Sequence, residues 1–495
     1  MTTRGTDHPP PIAWGPIGAV AAAVAVVLVA TSNGYGYHRD ELYFLRLGAR
    51  PAWGYVDQPP ATPLLARGTQ VLFGDHLWAL HLPGVLILAA TAILTALLAR
   101  ELNGGRAAQV LASAATATAF PLTFGHVLLT ASLDLVLTAA VLLVLAKALL
   151  RDPRWWLATG ALVGLTLYNK QLVTLTLIAV GIGLLVVGPR RVLVSPWLWG
   201  GVLLAVGIGA PNIIYQVTHD WPQVTMARAI ERTDGTTSRI TLLPLQLAMV
   251  GVFLAPVWIA GIVRVLRDRE LRPVRAFAVG YFVLVVLVFV TGGQPYYTAG
   301  MVLALFAAGA EPTVGWLRRG SWRRIGFGVA FALNLVVSAL IALPLLPVST
   351  LAKTPIADTS QAVSDSIGWP VYVRQIAEVY DGLPATDKQN AAIITANYGE
   401  EGALARFGGS YDLPPVYSGQ NELWFRGGPL EGTDVIEFVG YDLADVSPSF
   451  ASCAKARDLD NGVDIPNEEQ ENYVTVCRDP NQPWSSLWRR FQHYS

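Results

Sequence analysis

Gly36-Tyr37-His38-Arg39-Asp40-Glu41-Leu42-Tyr43 follows the first apolar block of the chain, and Gly54-Tyr55-Val56-Asp57-Gln58-Pro59-Pro60 comes shortly after it. Each stretch places at least one carboxylate beside a segment that is apolar enough to lie in a membrane. Charge beside a bilayer is costly and by default marks a functional position. The loop 34–76, which contains both stretches, is therefore the first place to expect chemistry.

The overall composition indicates a polytopic α-helical membrane protein. Of the 495 residues, 53% are hydrophobic and 14% are charged, whereas soluble domains carry about 25% charged residues. The hydrophobic residues lie in long blocks rather than in alternation, which is the pattern of transmembrane helices. The formal net charge is zero, and no basic tract indicates a nucleic-acid partner.

The apolar blocks predict about eleven transmembrane helices. The blocks lie at 14–32, 78–99, 107–124, 128–150, 156–168, 170–188, 196–217, 241–263, 276–291, 297–311 and 325–346. With the N-terminus in the cytoplasm, every inner loop is rich in arginine or lysine, as the positive-inside rule requires. This orientation places the loop 34–76, the loop 218–240 and the tail from 348 outside the membrane.

The polar tail predicts a separate small domain. Two strand-like runs and two helical stretches are expected in it. They are 391–395 and 435–439 for the strands, 402–407 with its flanks for one helix, and 448–457 for a second helix with Ser447 as its N-cap. We therefore expect a transmembrane domain over 1–347 and an exoplasmic α/β domain over 348–495.

Both cysteines of the chain, Cys453 and Cys477, lie in this tail. Outside the cytoplasm the compartment is oxidising, which favours a disulfide between them. The alternative is a pair of unlinked buried thiols.

The first outer loop offers carboxylates for proton transfer. Asp40 and Glu41 follow the first span closely, in an aromatic segment that also holds Arg39. A carboxylate partly shielded from water becomes more basic and can accept a proton from a hydroxyl. Asp57 precedes two prolines, which exclude helix and stiffen the turn back toward the membrane. The alternative is a solvated loop with an ordinary Asp–Arg ion pair.

Further candidates lie near the outer ends of later spans. Asp134 interrupts an apolar block, where a central charge costs about 2.5–3.5 kcal/mol; the alternative is that it caps a helix or pairs with a neighbouring polar group. Lys170 lies at a predicted break, 168–171, and suits a phosphate leaving group, unless it only reaches lipid headgroups. Tyr296 and Tyr297 join two late spans outside, where interfacial aromatic residues are also common.

Sugar contacts and a metal site are less strongly indicated. The polar-aromatic turns 397–400 and 417–424 are candidates for sugar contact, although ordinary loops have the same composition. His38, His126 and His219 are all expected near the outer face. Their spacing indicates no particular metal site, so the need for a divalent metal stays open.

The two stretches of the first outer loop resemble the first exoplasmic loop of the GT-C membrane glycosyltransferases. The resemblance is greatest to the family-39-like group, the protein O-mannosyltransferases and the lipid A aminoarabinose transferase, and covers roughly residues 14–346. It implies that Asp40 is the catalytic acid/base, with Glu41 and Asp134 as further catalytic residues. The residues implied to bind the donor phosphate or sugar are His38, Arg39, Asp57, Gln58, Lys170, Tyr296 and Tyr297.

One position departs from the family pattern. Relatives often have lysine where this chain has Gln58, and that lysine is associated with the donor phosphate. Glutamine donates a hydrogen bond but carries no charge. Lys170 or Arg39 is then expected to supply the cation.

The resemblance implies an inverting transfer of a hexose or pentose from a polyprenyl-phosphate donor, on the outer face of a bacterial plasma membrane. The acceptor is the hydroxyl of a protein, a lipid or a cell-wall glycan. Two other classes are kept as alternatives. One is a lipid or glycan transporter or flippase, for which inverted repeats are expected, and the other is a non-catalytic glycan-binding membrane protein.

Overall fold

The computed structural model describes residues 9–494; residues 1–8 and 495, which belong to the two predicted domains, lie outside the described residues. The chain forms two compact units. The first comprises Gln58–Thr62, His81–Leu343 and the described residues up to Ser32. The second comprises Asn33–Asp57, Pro63–Leu80 and the described residues from Pro344. Most of the loop 34–76 thus groups with the C-terminal part of the chain.

The first unit, here called the membrane unit, is helical. Among the described residues, seven helices are long and apolar enough to cross a membrane. They are Trp14–Thr31, Leu77–Glu101, Thr130–Leu150, Pro196–Thr218, Arg272–Thr291, Pro295–Leu317 and Ser321–Ala342. Helices Pro222–Ala248 and Val252–Arg267 meet at a 63° bend and add an eighth span if they are counted as one.

The expected number of about eleven spans is not confirmed. The blocks predicted at 107–124, 156–168 and 170–188 form shorter helices, namely Arg106–Ala117, Pro121–His126, Trp155–Thr166 and Leu172–Val187. The predicted break at 168–171 is confirmed, since one helix ends at Thr166 and the next begins at Leu172.

The segment 218–240, predicted as an outer loop, is mostly helical. Helix Pro222–Ala248 covers it, with Pro222 in the first turn. Its polar residues include good helix formers such as Gln223, Arg228 and Glu231. Polarity excluded these residues from a span, but it did not exclude them from a helix.

Close packing in the membrane unit depends on glycine. A Cβ placed on Gly160 would lie 1.9 Å from the carbonyl oxygen of Gly201, and one on Gly261 would lie 1.8 Å from that of Leu305. Small residues allow membrane helices to approach this closely. Helix Ala299–Leu317, which receives the second contact, is buried along most of its length.

The second unit, here called the sheet unit, is built on a five-stranded mixed sheet. The strands are β1 Ala391–Thr395, β2 Val416–Ser418, β3 Val435–Val439, β4 Phe450–Asp458 and β5 Tyr473–Pro480, and their order in the sheet is β2-β1-β3-β5-β4. β1 pairs in parallel with β2 and β3, whereas β5 pairs antiparallel with β3 and β4. The main helices are Arg39–Gly48, Trp369–Asp381 and Tyr398–Phe407, and Ala61–Phe73 enters this unit at Pro63.

The predicted strands at 391–395 and 435–439 and the helix around 402–407 are confirmed. The predicted helix 448–457 is wrong. Ser447 and Pro448 begin only a short 3₁₀ turn, and the chain then extends as β4. Pairing with β5 overrides the local cap signal, because strand formation depends strongly on tertiary neighbours.

Cys453 and Cys477 lie directly opposite each other on β4 and β5 and form a disulfide. The bond therefore links two neighbouring strands at one edge of the sheet.

Candidate active site

The N-terminus of helix Arg39–Gly48 is fixed by a capping box. The backbone N–H of Asp40 donates to His38 Nδ1 at 3.1 Å, and the backbone N–H of His38 donates to Glu41 Oε2 at 2.9 Å. Glu41 is fully buried. The structure thus places His38 and Glu41 where they orient the start of the helix that carries Asp40.

Asp40 is half-buried and contacts a tyrosine that is distant in sequence. The hydroxyl of Tyr398 donates a 2.8 Å hydrogen bond to Asp40 Oδ1. The Tyr398 ring stacks on Tyr43 with centroids 4.5 Å apart, and the Arg39 guanidinium lies 4.9 Å from its centroid. Burial, reinforced by the charge of Asp40, raises the pKa of Tyr398 well above its usual value. The hydroxyl therefore remains a donor at neutral pH.

Asp57 is connected to the same cluster. Tyr43 donates a 2.8 Å hydrogen bond to Asp57 Oδ1, and the backbone N–H of Glu422 donates to the Tyr43 hydroxyl at 3.3 Å. Burial raises the pKa of Asp57 to about 7, against the opposing effect of the Tyr43 hydrogen bond. The structure therefore brings together Asp40 and Asp57 through two stacked tyrosines.

Arg39 is buried and paired. Its guanidinium forms an ion pair with Glu468, and Asp365 and Glu469 also act on its charge. Burial raises the pKa of Asp365 to about 8 and that of Glu469 to about 7. Sequence reasoning missed Asp365 and Glu469, because nothing local distinguishes them from solvated carboxylates.

Helix Tyr398–Phe407 packs tightly against the helix that carries Asp40. A Cβ on Gly402 would lie 2.8 Å from Leu42 Cβ, and one on Gly399 would lie 3.0 Å from Arg39 Cβ. Arg46 and Glu401 form a bidentate ion pair with contacts of 2.6 and 2.9 Å. These contacts fix the position of the Tyr398 hydroxyl relative to the Asp40 carboxylate.

The turn 397–400, one of the two candidates for sugar contact, has a structural role. The backbone N–H of Glu400 donates to Asn397 Oδ1 at 2.9 Å, and the backbone N–H of Asn397 donates to Glu400 Oε2 at 3.0 Å. The turn is therefore the capping box of helix Tyr398–Phe407. In the turn 417–424, the Glu422 carboxylate accepts from the backbone N–H of Val56 at 3.0 Å.

The membrane unit contains a second cluster, around Lys170. Its Nζ donates to the Tyr296 hydroxyl at 3.2 Å and lies 5.3 and 5.2 Å from the ring centroids of Tyr296 and Tyr297. Asp134 interacts electrostatically with Lys170 and hydrogen-bonds with Thr138. Four of the sequence-predicted site residues are thus brought together here.

The segment that contains Gln58 is tied to the same turn as Lys170. The backbone N–H of Ala61 donates to the carbonyl of Tyr168 at 2.8 Å, and Thr62 Oγ1 donates to Asn169 Oδ1 at 2.7 Å. Gln58 is 5% exposed, and its Nε2 has no hydrogen-bond partner within the described residues. A buried amide donor without a partner is costly and suits a ligand that supplies an acceptor.

Within residues 9–494, no group of three or more His, Cys, Asp or Glu side chains is placed to hold a metal ion. Two of the three histidines considered for such a site have aromatic neighbours instead. His126 lies 5.1 Å from the ring of His81, and His219 stacks on Tyr215 at 4.0 Å.

Comparison with known structures identifies the fold. ArnT from Cupriavidus metallidurans bound to undecaprenyl phosphate matches with a TM-score of 0.57 and 15% identity, over 93% of this chain and 97% of that chain. The arabinofuranosyltransferase AftD from Mycobacteria matches with a TM-score of 0.52 and 14% identity, over 97% of this chain and 41% of that chain. The chain has the GT-C fold.

Sequence comparison agrees with the resemblance over a part of the chain that begins at Asp57. Residues 57–215 match the family described as dolichyl-phosphate-mannose-protein mannosyltransferase. No curated protein sequence matches the chain. The expected resemblance to family-39-like GT-C proteins is confirmed.

Proposed function

We propose that this protein transfers a sugar from a polyprenyl-phosphate donor to an acceptor hydroxyl on the outer face of the membrane. The observation that carries the proposal is the Asp40–Tyr398 hydrogen bond at a capped helix start. It holds one carboxylate in a fixed orientation at the position where the family resemblance implies a catalytic base. The match of residues 57–215 to a lipid-linked mannosyltransferase family supports the donor class.

The proposed chemistry is a single displacement. Asp40 accepts the proton of the acceptor hydroxyl, whose oxygen attacks the anomeric carbon while the bond to the lipid phosphate breaks. The transition state resembles an oxocarbenium ion, as in other glycosyl transfers. Displacement from the opposite face inverts the configuration at the anomeric carbon.

Lys170 is the better candidate for the cation that stabilises the leaving phosphate. Arg39 is buried and already paired with Glu468, so its charge is largely offset. Lys170 has hydroxyl and ring partners, and Asp134 is the carboxylate that acts on it. A positioned cation stabilises the charge that develops on the leaving group. The Gln58 amide is proposed to donate a further hydrogen bond to the leaving phosphate.

The experiment is transfer in proteoliposomes from a panel of radiolabelled undecaprenyl-phosphate hexoses and pentoses to extracted envelope acceptors. Asp40→Asn keeps the shape of the side chain but removes the base, and it is expected to lower transfer by about 10²- to 10⁴-fold. The matched control is Asp442→Asn, because Asp442 also accepts from a tyrosine hydroxyl, Tyr473 at 3.3 Å.

Product analysis completes the test. Inverted anomeric configuration by NMR supports single displacement, and retention contradicts it. Transfer that is equal in Asp40→Asn and wild type would show that Asp40 is not the base. Absence of transfer from every donor by folded wild-type protein would contradict the glycosyltransferase proposal.

A further inference from the structure

A pair of buried amides lies near the C-terminal end of helix Pro196–Thr218. Asn212 and Gln216 are 1% and 2% exposed, whereas Ile214 and Val217 on the same helix are 60% and 56% exposed. Residues four apart share one helix face. The two amides are therefore turned into the protein, while apolar side chains cover the outward face.

Both amides use their oxygens and leave their nitrogens without partners. Asn212 Oδ1 accepts from Gln171 Nε2 at 3.2 Å, and Gln216 Oε1 accepts from the backbone N–H of Gln223 at 3.3 Å. A backbone N–H can only donate, so it fixes which end of the Gln216 amide is the oxygen. Asn212 Nδ2 and Gln216 Nε2 are buried and have no hydrogen-bond partner in the described chain. The pair thus presents donors only.

Another buried amide of the membrane unit shows what a purely structural role looks like. Gln246 Oε1 accepts from Tyr281 at 3.2 Å and from Thr298 at 2.7 Å. Its Nε2 donates to the carbonyls of Leu242 and Pro295 at 3.1 and 3.4 Å. Every polar atom of this side chain is therefore satisfied, as expected of a buried polar group that only stabilises the fold.

The amide pair is tied to the turn that carries Lys170. Gln171, the donor to Asn212, follows Lys170 in the chain, and the Tyr168 hydroxyl donates to the carbonyl of Ile208 at 2.7 Å. A cation such as Lys170 suits a phosphate. Uncharged amide donors instead match the neutral oxygens of a sugar, which accept hydrogen bonds without carrying charge.

We propose that Asn212 and Gln216 bind the sugar of the lipid-linked donor by donating hydrogen bonds to its oxygens, and that they contribute to sugar specificity. The inference rests on the proposed function and deepens it by naming residues of the membrane unit that contact the sugar. The shared chemistry is a set of acceptor oxygens, which a sugar or a phosphate can supply. The experiment must therefore separate these two sources.

The experiment measures dissociation constants in lipid nanodiscs for bare undecaprenyl phosphate and for undecaprenyl phosphate bearing a hexose or a pentose. Asn212→Leu and Gln216→Met remove the donors at nearly constant volume. Each substitution is expected to raise the dissociation constant of the preferred sugar-bearing ligand by about 2- to 12-fold, the range for loss of one neutral hydrogen bond. Binding of bare undecaprenyl phosphate is expected to stay within 2-fold, and the melting temperature within a few degrees.

Gln246→Met is the matched control. It removes an amide whose atoms all have partners, so it is expected to lower the melting temperature without a selective loss for the sugar-bearing ligands. If the Asn212 and Gln216 variants bound bare and sugar-bearing undecaprenyl phosphate equally more weakly than wild type, the amides would contact the phosphate rather than the sugar. This result would overturn the proposal. Unchanged binding of both would also overturn it. If wild type binds neither ligand, the proposed function itself fails, which is a distinguishable result.

Discussion

Replacing Tyr398 by phenylalanine isolates the one hydrogen bond on which the proposed base depends. The phenyl ring keeps the stack on Tyr43 at 4.5 Å and the Arg39 contact at 4.9 Å. Only the hydroxyl, which donates to Asp40 Oδ1 at 2.8 Å, is lost. The fold of the helix pair should therefore remain, and the orientation of one carboxylate should change.

The magnitude follows from the type of bond. A hydrogen bond to a charged group contributes about 1.5–3 kcal/mol. If this energy holds Asp40 in the reactive orientation, its loss raises the barrier by the same amount, and about 1.4 kcal/mol corresponds to tenfold in rate. Tyr398→Phe should then lower kcat by about 10- to 150-fold, while KM for the lipid-linked donor changes little.

The assay is the initial rate of transfer in proteoliposomes, with kcat and KM determined separately and the fold checked by thermal unfolding. Tyr473→Phe is the control, because it removes a tyrosine hydroxyl bonded to Asp442 in the same unit, and it should transfer at the wild-type rate. A folded Tyr398→Phe protein with wild-type kcat would refute the positioning argument. An equal loss in Tyr473→Phe would show that the effect does not act through Asp40.

Three further outcomes are expected. Burial raises the pKa of Asp365 to about 8 and that of Glu469 to about 7, so the folded protein binds more protons than the unfolded chain between about pH 4 and 8. The unfolding free energy of the sheet unit, followed by hydrogen exchange, should therefore fall as pH rises through this window, and a rise would contradict the burial of these carboxyls. Replacing Cys453 and Cys477 by serine removes a disulfide that closes a loop with a sequence separation of 24, and it should cost about 3 kcal/mol of stability. The serine variant should therefore melt at a lower temperature than wild type under oxidising conditions. As the control, the two proteins should melt at the same temperature after reduction. Glu41→Gln keeps an acceptor for the His38 backbone N–H and should retain the rate of transfer within a few-fold. Glu41→Ala should lower the melting temperature, because loss of a helix cap typically costs about 1 kcal/mol. A Glu41→Gln variant as inactive as Asp40→Asn would assign Glu41 a catalytic role.

Local sequence determined the membrane character of the chain and several of its elements. Long apolar blocks are visible in any window of about 20 residues, and the polar residues 168–171 predicted the break that separates two short helices. The strands at 391–395 and 435–439 were also predictable, because each is a short, mostly apolar run of the length of a buried strand. The count of about eleven spans was not confirmed, because three of the predicted apolar blocks form helices of 16 residues or fewer.

The partners within the candidate site were not predictable in this way. Asp40 and Tyr398 are 358 positions apart, and no pattern within one helix turn links them. From sequence alone, Arg39 was a candidate to bind the donor phosphate. The structure pairs its guanidinium with Glu468 instead. A glycine inside a helix, such as Gly402, is by itself destabilising. Here its lack of a side chain allows its helix to approach Leu42 closely.

The sequence by itself determined that this is a polytopic membrane protein, and it pointed to the loop around Asp40 through a family resemblance. The tertiary structure decided which side chains act on Asp40, that Glu41 lies in a helix cap, and that residues 450–458 form a strand. The physical reason is the range of the forces involved. Hydropathy and helix capping depend on neighbours within a few residues, whereas hydrogen-bond partners, ion pairs and strand pairing are set by segments that meet only when the chain is folded.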